Sequence, residues 1–286
     1  MFRIVEITPA YGDPPVLRVD GPGIDVAPCL LRQRDRLAAL VADVDDEQWA
    51  APTRCDAWSV QDVVAHLAST NQFWSMSISA GAGGAPTRVL AGFDPVATPA
   101  QLVDAVRSWT PAEALDKLRR SNDRLRAVVE GLDEASWSLP AEAPPGHIAI
   151  RLVALHAFWD CWVHERDIAL PLGLDPVVEP DEVQAALVYA AALAPVFAVT
   201  NGETRAGVLA VDAGDTDARF VVEVDGSVVV REEAAPPGAL VLTGRGVDLV
   251  EALSLRTPLT QQVADGDRWL LGGLAEVFDQ PAVSSP

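Results

Sequence analysis

The sequence predicts an α-helical bundle followed by a small α+β unit. Three observations lead there. Amphipathic helical patterns with clear start signals recur from residue 25 to about residue 200. After Gly202 the texture changes to short β-branched runs punctuated by Gly, Asp and Pro. The chain has 286 residues, long for one helical domain and enough for two. The expected division is an extended segment over 1–24, a bundle over 25–200 and an α+β unit over 201–286.

The first 24 residues are rich in Pro and Gly, with β-branched runs at Ile4-Val5 and Val16-Leu17. They read as extended chain, with a strand pair packed on the body. Leu30, Leu31, Leu37, Leu40 and Val41 set a helix over 26–44. A single turn is expected around 45–50. Ser59 is an N-cap with Asp62 as the capping-box acid, opening a helix over 60–78. Thr98-Pro99 and Thr110-Pro111 each place Pro at the first helical position, starting helices over 99–108 and 111–131. A turn at 133–137 echoes the one at 45–50. Pro144-Pro145-Gly146 breaks the chain, and a long helix is expected over 147–170, stopped by Pro171 and Gly173. Asp181 opens another, to about residue 199. Short strands follow over 207–212, 218–224, 226–231 and 239–243, with Asp225-Gly226 as a tight-hairpin signal. Helices over 245–255 and 267–278 complete the chain.

Composition narrows the partners. The net charge of −20 repels phosphate backbones and anionic membrane surfaces, so neither nucleic acid nor a membrane is expected as partner. Lys117 is the single lysine, a usage that suggests a high-GC bacterial source. Three cysteines without CxxC spacing fit a reducing compartment. No basic start followed by a long apolar run is visible, and the apolar stretch over 185–199 is short and Ala-rich. A cytoplasmic protein is expected.

The chemistry concentrates in two predicted helices. His66 lies in Val63-Val64-Ala65-His66, and the later helix carries His156, Asp160, His164 and Asp167. Residues four apart share a helix face, so either Asp160 with His164 or His156 with Asp160 can converge on one ion. The two histidines lie eight residues apart, a rise of about 12 Å, too far to share an ion. Metal sites in bundles are built from inward residues on facing helices, so His66 can supply a third ligand. Equally, imidazoles on apolar helix faces serve as hydrogen-bonded core residues. A zincin pattern fails because Ile168 stands where its second histidine is needed. Gly81-Ala82-Gly83-Gly84 lacks the strand and the lysine of a phosphate loop. Cys55 and Cys161 read as small buried fillers. Trp58, Trp74, Trp159 and Trp162 read as bundle core.

Trp49, Pro52, Thr53, Cys55, Trp58, Ser59, Asp62 and Val63-Val64-Ala65-His66-Leu67-Ala68 resemble the opening of the mycothiol-dependent maleylpyruvate isomerase family, a branch of the DinB-like four-helix bundles. Asp160, Val163, His164 and Asp167 resemble that family's second motif. The segments 240–245 and 264–267 are similar to its sterol-carrier-like C-terminal domain. The resemblance implies a Zn site on His66, Asp160 and His164, with mycothiol as cosubstrate. In two places the chain departs from the family: Asp160 stands where Glu is usual, and Ala157 where Arg is common. Asp167 then reads either as a residue orienting a ligand or as a solvated acid.

The function expected from these readings is a metal- and thiol-dependent transferase or cis–trans isomerase acting on a small electrophile. Arg245 and Arg256 are the candidate catalytic groups for holding a carboxylate. Two other functions share the same residues. One is a non-catalytic small-molecule or lipid carrier with a vestigial metal site. The other is a metal-dependent hydrolase in which the open position activates water.

Overall fold

In the computed structural model, residues 6–21, 23–278 and 280 are described; Ile4-Val5 and residues 281–286 lie outside them. The architecture is α plus α+β. Helices α1 (Val26–Ala42), α3 (Val60–Ala82), α5 (Pro111–Glu130) and α6 (Ile150–Ala169) form a four-helix bundle. Each packs on two of the others: α1 on α5 and α6, and α3 on α5 and α6. The short helices α2 (Asp46–Trp49) and α4 (Ala97–Asp104) lie in the connections.

The helix starts follow the local sequence. Ser59 and Asp62 form the expected capping box on α3, and Thr110 and Glu113 form one on α5 behind Pro111. One start differs. Thr98 is inside α4, because the Asp94 carboxylate already accepts from the backbone N–H groups of Val96 and Ala97 and begins the helix earlier.

The largest departure precedes α6. Residues expected to begin that helix instead form a hairpin of β2 (Pro140–Ala143) and β3 (Gly146–Ala149), so His147 is a strand residue. Gly146 has φ +125°, and a Cβ there would lie 1.9 Å from the Ala10 carbonyl oxygen. The buried Glu142 carboxylate fastens the hairpin. It accepts from Tyr11 Oη at 2.7 Å, Thr87 Oγ1 at 2.6 Å, Val89 N at 2.9 Å and Leu90 N at 2.8 Å.

The remaining elements are α7 (Pro180–Thr200), α8 (Gly246–Leu253), α9 (Trp269–Val277) and a five-stranded sheet. Its strands are β1 (Leu17–Asp20), β4 (Gly207–Ala213), β5 (Ala218–Val224), β6 (Val228–Arg231) and β7 (Leu240–Thr243), in the order β1-β6-β5-β4-β7. The expected hairpin at Asp225-Gly226 joins β5 to β6 antiparallel, with Gly226 at φ +62°. The N-terminal β1 runs parallel to β6 rather than pairing with other described residues of its own segment. Helix α7 is long and apolar enough to cross a membrane, but 83% of its apolar window is buried, against α6, α8, α9 and strands β5 and β6. Gly273 lets α9 approach it closely: a Cβ there would sit 2.1 Å from the Ala194 carbonyl oxygen.

Candidate metal centre

Helices α3 and α6 meet at two levels. At the first, the imidazoles of His66 and His164 lie edge to face with centroids 5.1 Å apart. At the second, eight residues along each helix in opposite directions, Trp74 and His156 lie 4.8 Å apart. Asp160 is on α6 between the two. The ligand atoms of His66, Asp160 and His164 all lie within 4.8 Å of one another, so the structure brings together the three expected ligands. His164 Nε2 is 3.6 Å from Asp160 Oδ1. His156 is not in the cluster; its Nδ1 is 2.6 Å from Tyr189 Oη.

Two features fit this donor set to a divalent ion. Asp160 Oδ2 is buried and accepts no hydrogen bond among the described residues. A buried carboxylate oxygen left without a donor is costly, and a cation would satisfy it. Burial also pushes the pKa of His66 down to about 4, keeping it a neutral imidazole, the form that can donate a lone pair. His164 is held in place from its other side. Its Nδ1 is 3.0 Å from Asp167 Oδ2, which leaves Nε2 to face Asp160. Burial opposes its charged form. The neighbouring Cys55, Asp167 and Asp160 outweigh burial and hold its pKa well above the usual value, so an ion at Nε2 would compete with a proton.

Asp167 is fully buried and anchored. Arg256 bonds it through Nη2 at 2.9 Å and Nε at 2.9 Å, and Arg54 through Nε at 3.0 Å. Burial alone would raise this carboxyl's pKa, but His164 and Arg256 hold it far below the carboxylate range. Glu251 on α8 in turn accepts from Arg54 Nη1 at 2.6 Å and Arg166 Nε at 2.6 Å. Of the two arginines expected to clamp a substrate carboxylate, Arg256 therefore borders the cluster with its guanidinium already on Asp167. Arg245 does not join it. As the N-cap of α8 it lies at the far end of that helix from Glu251, its side chain 74% exposed and 3.8 Å from Asp215.

Sequence reasoning missed two neighbours. Cys55 is half-buried rather than a core filler: its Sγ donates to Asp167 Oδ2 at 3.2 Å and lies 3.5 Å from His164 Nδ1. Cys161 is the buried filler expected, packed with Val64 and Leu67. Trp58 is a wall rather than core, half-buried with its ring centroid 5.0 Å from that of His66. Both line an open cleft of about 920 Å³, along with Trp49, Thr53, Asp56 and Arg107. No residue between Cys55 and Trp58 signals this in the sequence, because Ala57 adopts φ +63°, a backbone conformation that alanine rarely takes.

Comparison with known proteins agrees with this architecture. Residues 30–169 match the family model described as the mycothiol maleylpyruvate isomerase N-terminal domain. An uncharacterized protein of Mycobacterium tuberculosis is 28% identical over 149 residues, 51% of this chain and 55% of that protein. The chain thus spans about half the length of the curated relatives it matches. Crystal structures of the mycothiol-dependent maleylpyruvate isomerase and of a mutant of it superpose with a TM-score of 0.57 at 14% identity. The match covers 82% of this chain and 89% of theirs, and establishes a shared fold.

Proposed function

Residues 30–169 belong to the mycothiol maleylpyruvate isomerase N-terminal domain family, and from that membership we propose that the protein is a divalent-metal- and thiol-dependent transferase or cis–trans isomerase. Its substrate is a small electrophile and its thiol is mycothiol. In this reading residues 25–200 carry the centre and residues 201–286 form the smaller unit beside it. The observation that carries the proposal is the buried, unpartnered Oδ2 of Asp160, on a carboxylate whose ligand oxygen lies within 4.8 Å of a nitrogen of His66 and of His164.

His66, Asp160 and His164 would hold the ion, and a set of two nitrogens and one carboxylate with a free fourth position suits Zn. When bound, the ion supplies positive charge that lowers the pKa of a thiol in the remaining position. The chain's own residues do the rest. Asp167 fixes which nitrogen of His164 faces the centre, and Arg54 and Arg256 keep Asp167 anionic. Trp58 lies beside His66, with ring centroids 5.0 Å apart. The thiol's proton leaves to solvent, and its sulfur forms a bond to the electron-poor alkene carbon while the π pair moves to the adjacent carbon. In an isomerase that pair returns after rotation and expels the sulfur. In a transferase a solvent proton captures the pair and the thioether departs.

The test is metal content by mass spectrometry of wild type, His66→Ala and Asp160→Ala, purified without chelator or added metal. About one ion per chain, lost in both variants, is expected for an open three-ligand site. A wild type that neither contains nor takes up metal would overturn the proposal in favour of a small-molecule carrier. Ester or amide turnover without thiol would assign the centre to hydrolysis instead.

A further inference from the structure

A polar seam runs through the centre of the four-helix bundle. Gln33 and Arg34 of α1, Asn71 of α3, and Ser121 and Asn122 of α5 are all buried in it, Arg34 at 1% exposure. The seam is one connected set of bonds. Arg34 donates to Asn71 Oδ1 through Nε at 3.2 Å and Nη2 at 3.1 Å. It also donates to the Ala157 carbonyl of α6 through Nη2 at 2.8 Å, and to Gln33 Oε1 through Nη1 at 2.8 Å. Gln33 Nε2 donates to the Cys161 carbonyl at 3.2 Å. Asn71 Nδ2 donates to Asn122 Oδ1 at 2.8 Å, and Asn122 Nδ2 returns to the Arg34 carbonyl at 3.3 Å.

Arg34 pairs with no carboxylate among the described residues; each acceptor it meets is a neutral oxygen. A guanidinium so placed is costly, and apolar side chains of similar volume would hold a bundle at least as well. What a buried polar group supplies instead is register, because its bonds close in one axial alignment of the helices and fail in others. The alignment at stake is that of the proposed ligands. Asn71 follows His66 by five positions on α3. On α6, Ala157 and Cys161 bracket Asp160, and Cys161 precedes His164 by three. One guanidinium therefore joins the helix that carries His66 to the helix that carries Asp160 and His164, with Gln33 as a second tie to α6. A slip of α3 along α6 by one residue, about 1.5 Å, would use up most of a metal–ligand bond of ~2 Å.

We infer that Arg34 is a positioning residue for the centre: it acts through the helices rather than on the ion, setting the axial register of α3 against α6 that brings His66 within reach of Asp160 and His164. The inference rests on the metal-dependent reading for the ion, and the register itself is testable without one. A role through charge alone predicts the opposite sign. Removing a nearby positive charge should tighten binding of a divalent cation, whereas losing the register should loosen it.

The variant is Arg34→Met, which removes the charge and the fork and leaves an apolar side chain. Competition of the full chain against a chromophoric chelator should show Zn²⁺ affinity lower by about tenfold or more, the scale on which residues that support metal ligands act. Visible absorption of the Co²⁺-loaded protein should change with it, which a side chain that merely stabilises the fold would not cause. Wild-type or tighter Zn²⁺ affinity, or an unchanged Co²⁺ spectrum, would overturn the inference. Should Arg34→Met not fold, Arg34→Lys decides: it keeps the charge, gives up the planar fork and must also weaken Zn²⁺. If the wild type binds no Zn²⁺, the metal-dependent reading fails and the register is read directly. Cross-relaxation between ring protons of His66 and His164, whose centroids lie 5.1 Å apart, should be present in the wild type and lost in the variant. Its absence from the wild type, or its persistence in the variant, overturns the inference.

Discussion

Replacing Asp167 with Asn keeps the shape of the side chain and removes its charge, and the structure sets the consequences. The carboxylate is 0% exposed and meets Arg256 Nη2 at 2.9 Å, Arg54 Nε at 3.0 Å and His164 Nδ1 at 3.0 Å. Arg54 keeps Glu251 as a partner, whereas Arg256 pairs with no other carboxylate among the described residues. Breaking a buried ion pair by removing one partner costs about 3–5 kcal/mol. Both guanidinium side chains are 22% exposed, so water recovers part of that loss, and about 3 kcal/mol is expected. The neutral amide also holds His164 less firmly in its tautomer, which should weaken metal binding about 10- to 100-fold. Urea unfolding in the presence of chelator measures the first quantity, and competition against a chromophoric chelator the second. Arg256→Met provides the cross-check: with the guanidinium gone, Asp167→Asn should cost about 2 kcal/mol less than in the wild-type background. A change in stability within about 0.5 kcal/mol for Asp167→Asn, or strict additivity with Arg256→Met, would refute the idea that the pair is the anchor of His164.

Glu142→Gln should destabilise the fold by about 3 kcal/mol, because an amide cannot accept from all four donors that surround the carboxylate and leaves buried partners unsatisfied. Burial works to raise the pKa of Glu142, but those donors bring it below the ordinary glutamate value. A depressed carboxyl stabilises the fold above its unfolded pKa of about 4.3 and loses that contribution as pH falls through the folded value. Urea midpoints should therefore fall more steeply below pH ~4.3 in the wild type than in the variant, and parallel profiles would show that the carboxylate is not the latch. Gly273→Ala forces a Cβ to 2.1 Å from the Ala194 carbonyl oxygen, so α9 must part from α7. A loss of about 1–3 kcal/mol in thermal or urea unfolding is expected, and an unchanged midpoint would show that the helices have room to spare.

What the sequence makes legible is local. Helices α3 and α5 each announce themselves with a cap and a three-residue-distant acid, and Asp160, His164 and Asp167 share a face because one helix dictates their spacing. The α6 start is hidden because Pro140, Pro144 and Pro145 obscure the hairpin, whose closure depends on contacts with Ala10, Tyr11 and the 87–90 segment far away in the chain. The pairing of strand β1 is hidden for the same reason: the Val16-Leu17 run marks extended chain, but its partner is β6, more than two hundred positions on. The site divides along the same line. Helical periodicity leaves the pairs 160/164 and 156/160 both open, and the family resemblance selects the first, whereas the groups beside the proposed ligands arrive by long-range contact: Cys55 and Trp58 from the loop that holds Ala57, and Arg256 just beyond α8. That asymmetry has a chemical consequence. The three proposed ligands lie on α6 and its neighbour α3, so few residues are needed to hold an ion. The orientation of His164 and the charge of the pocket depend on residues from α8 and the segment after it. Substrate preference should therefore drift with that later part of the chain while the three ligands stay in place.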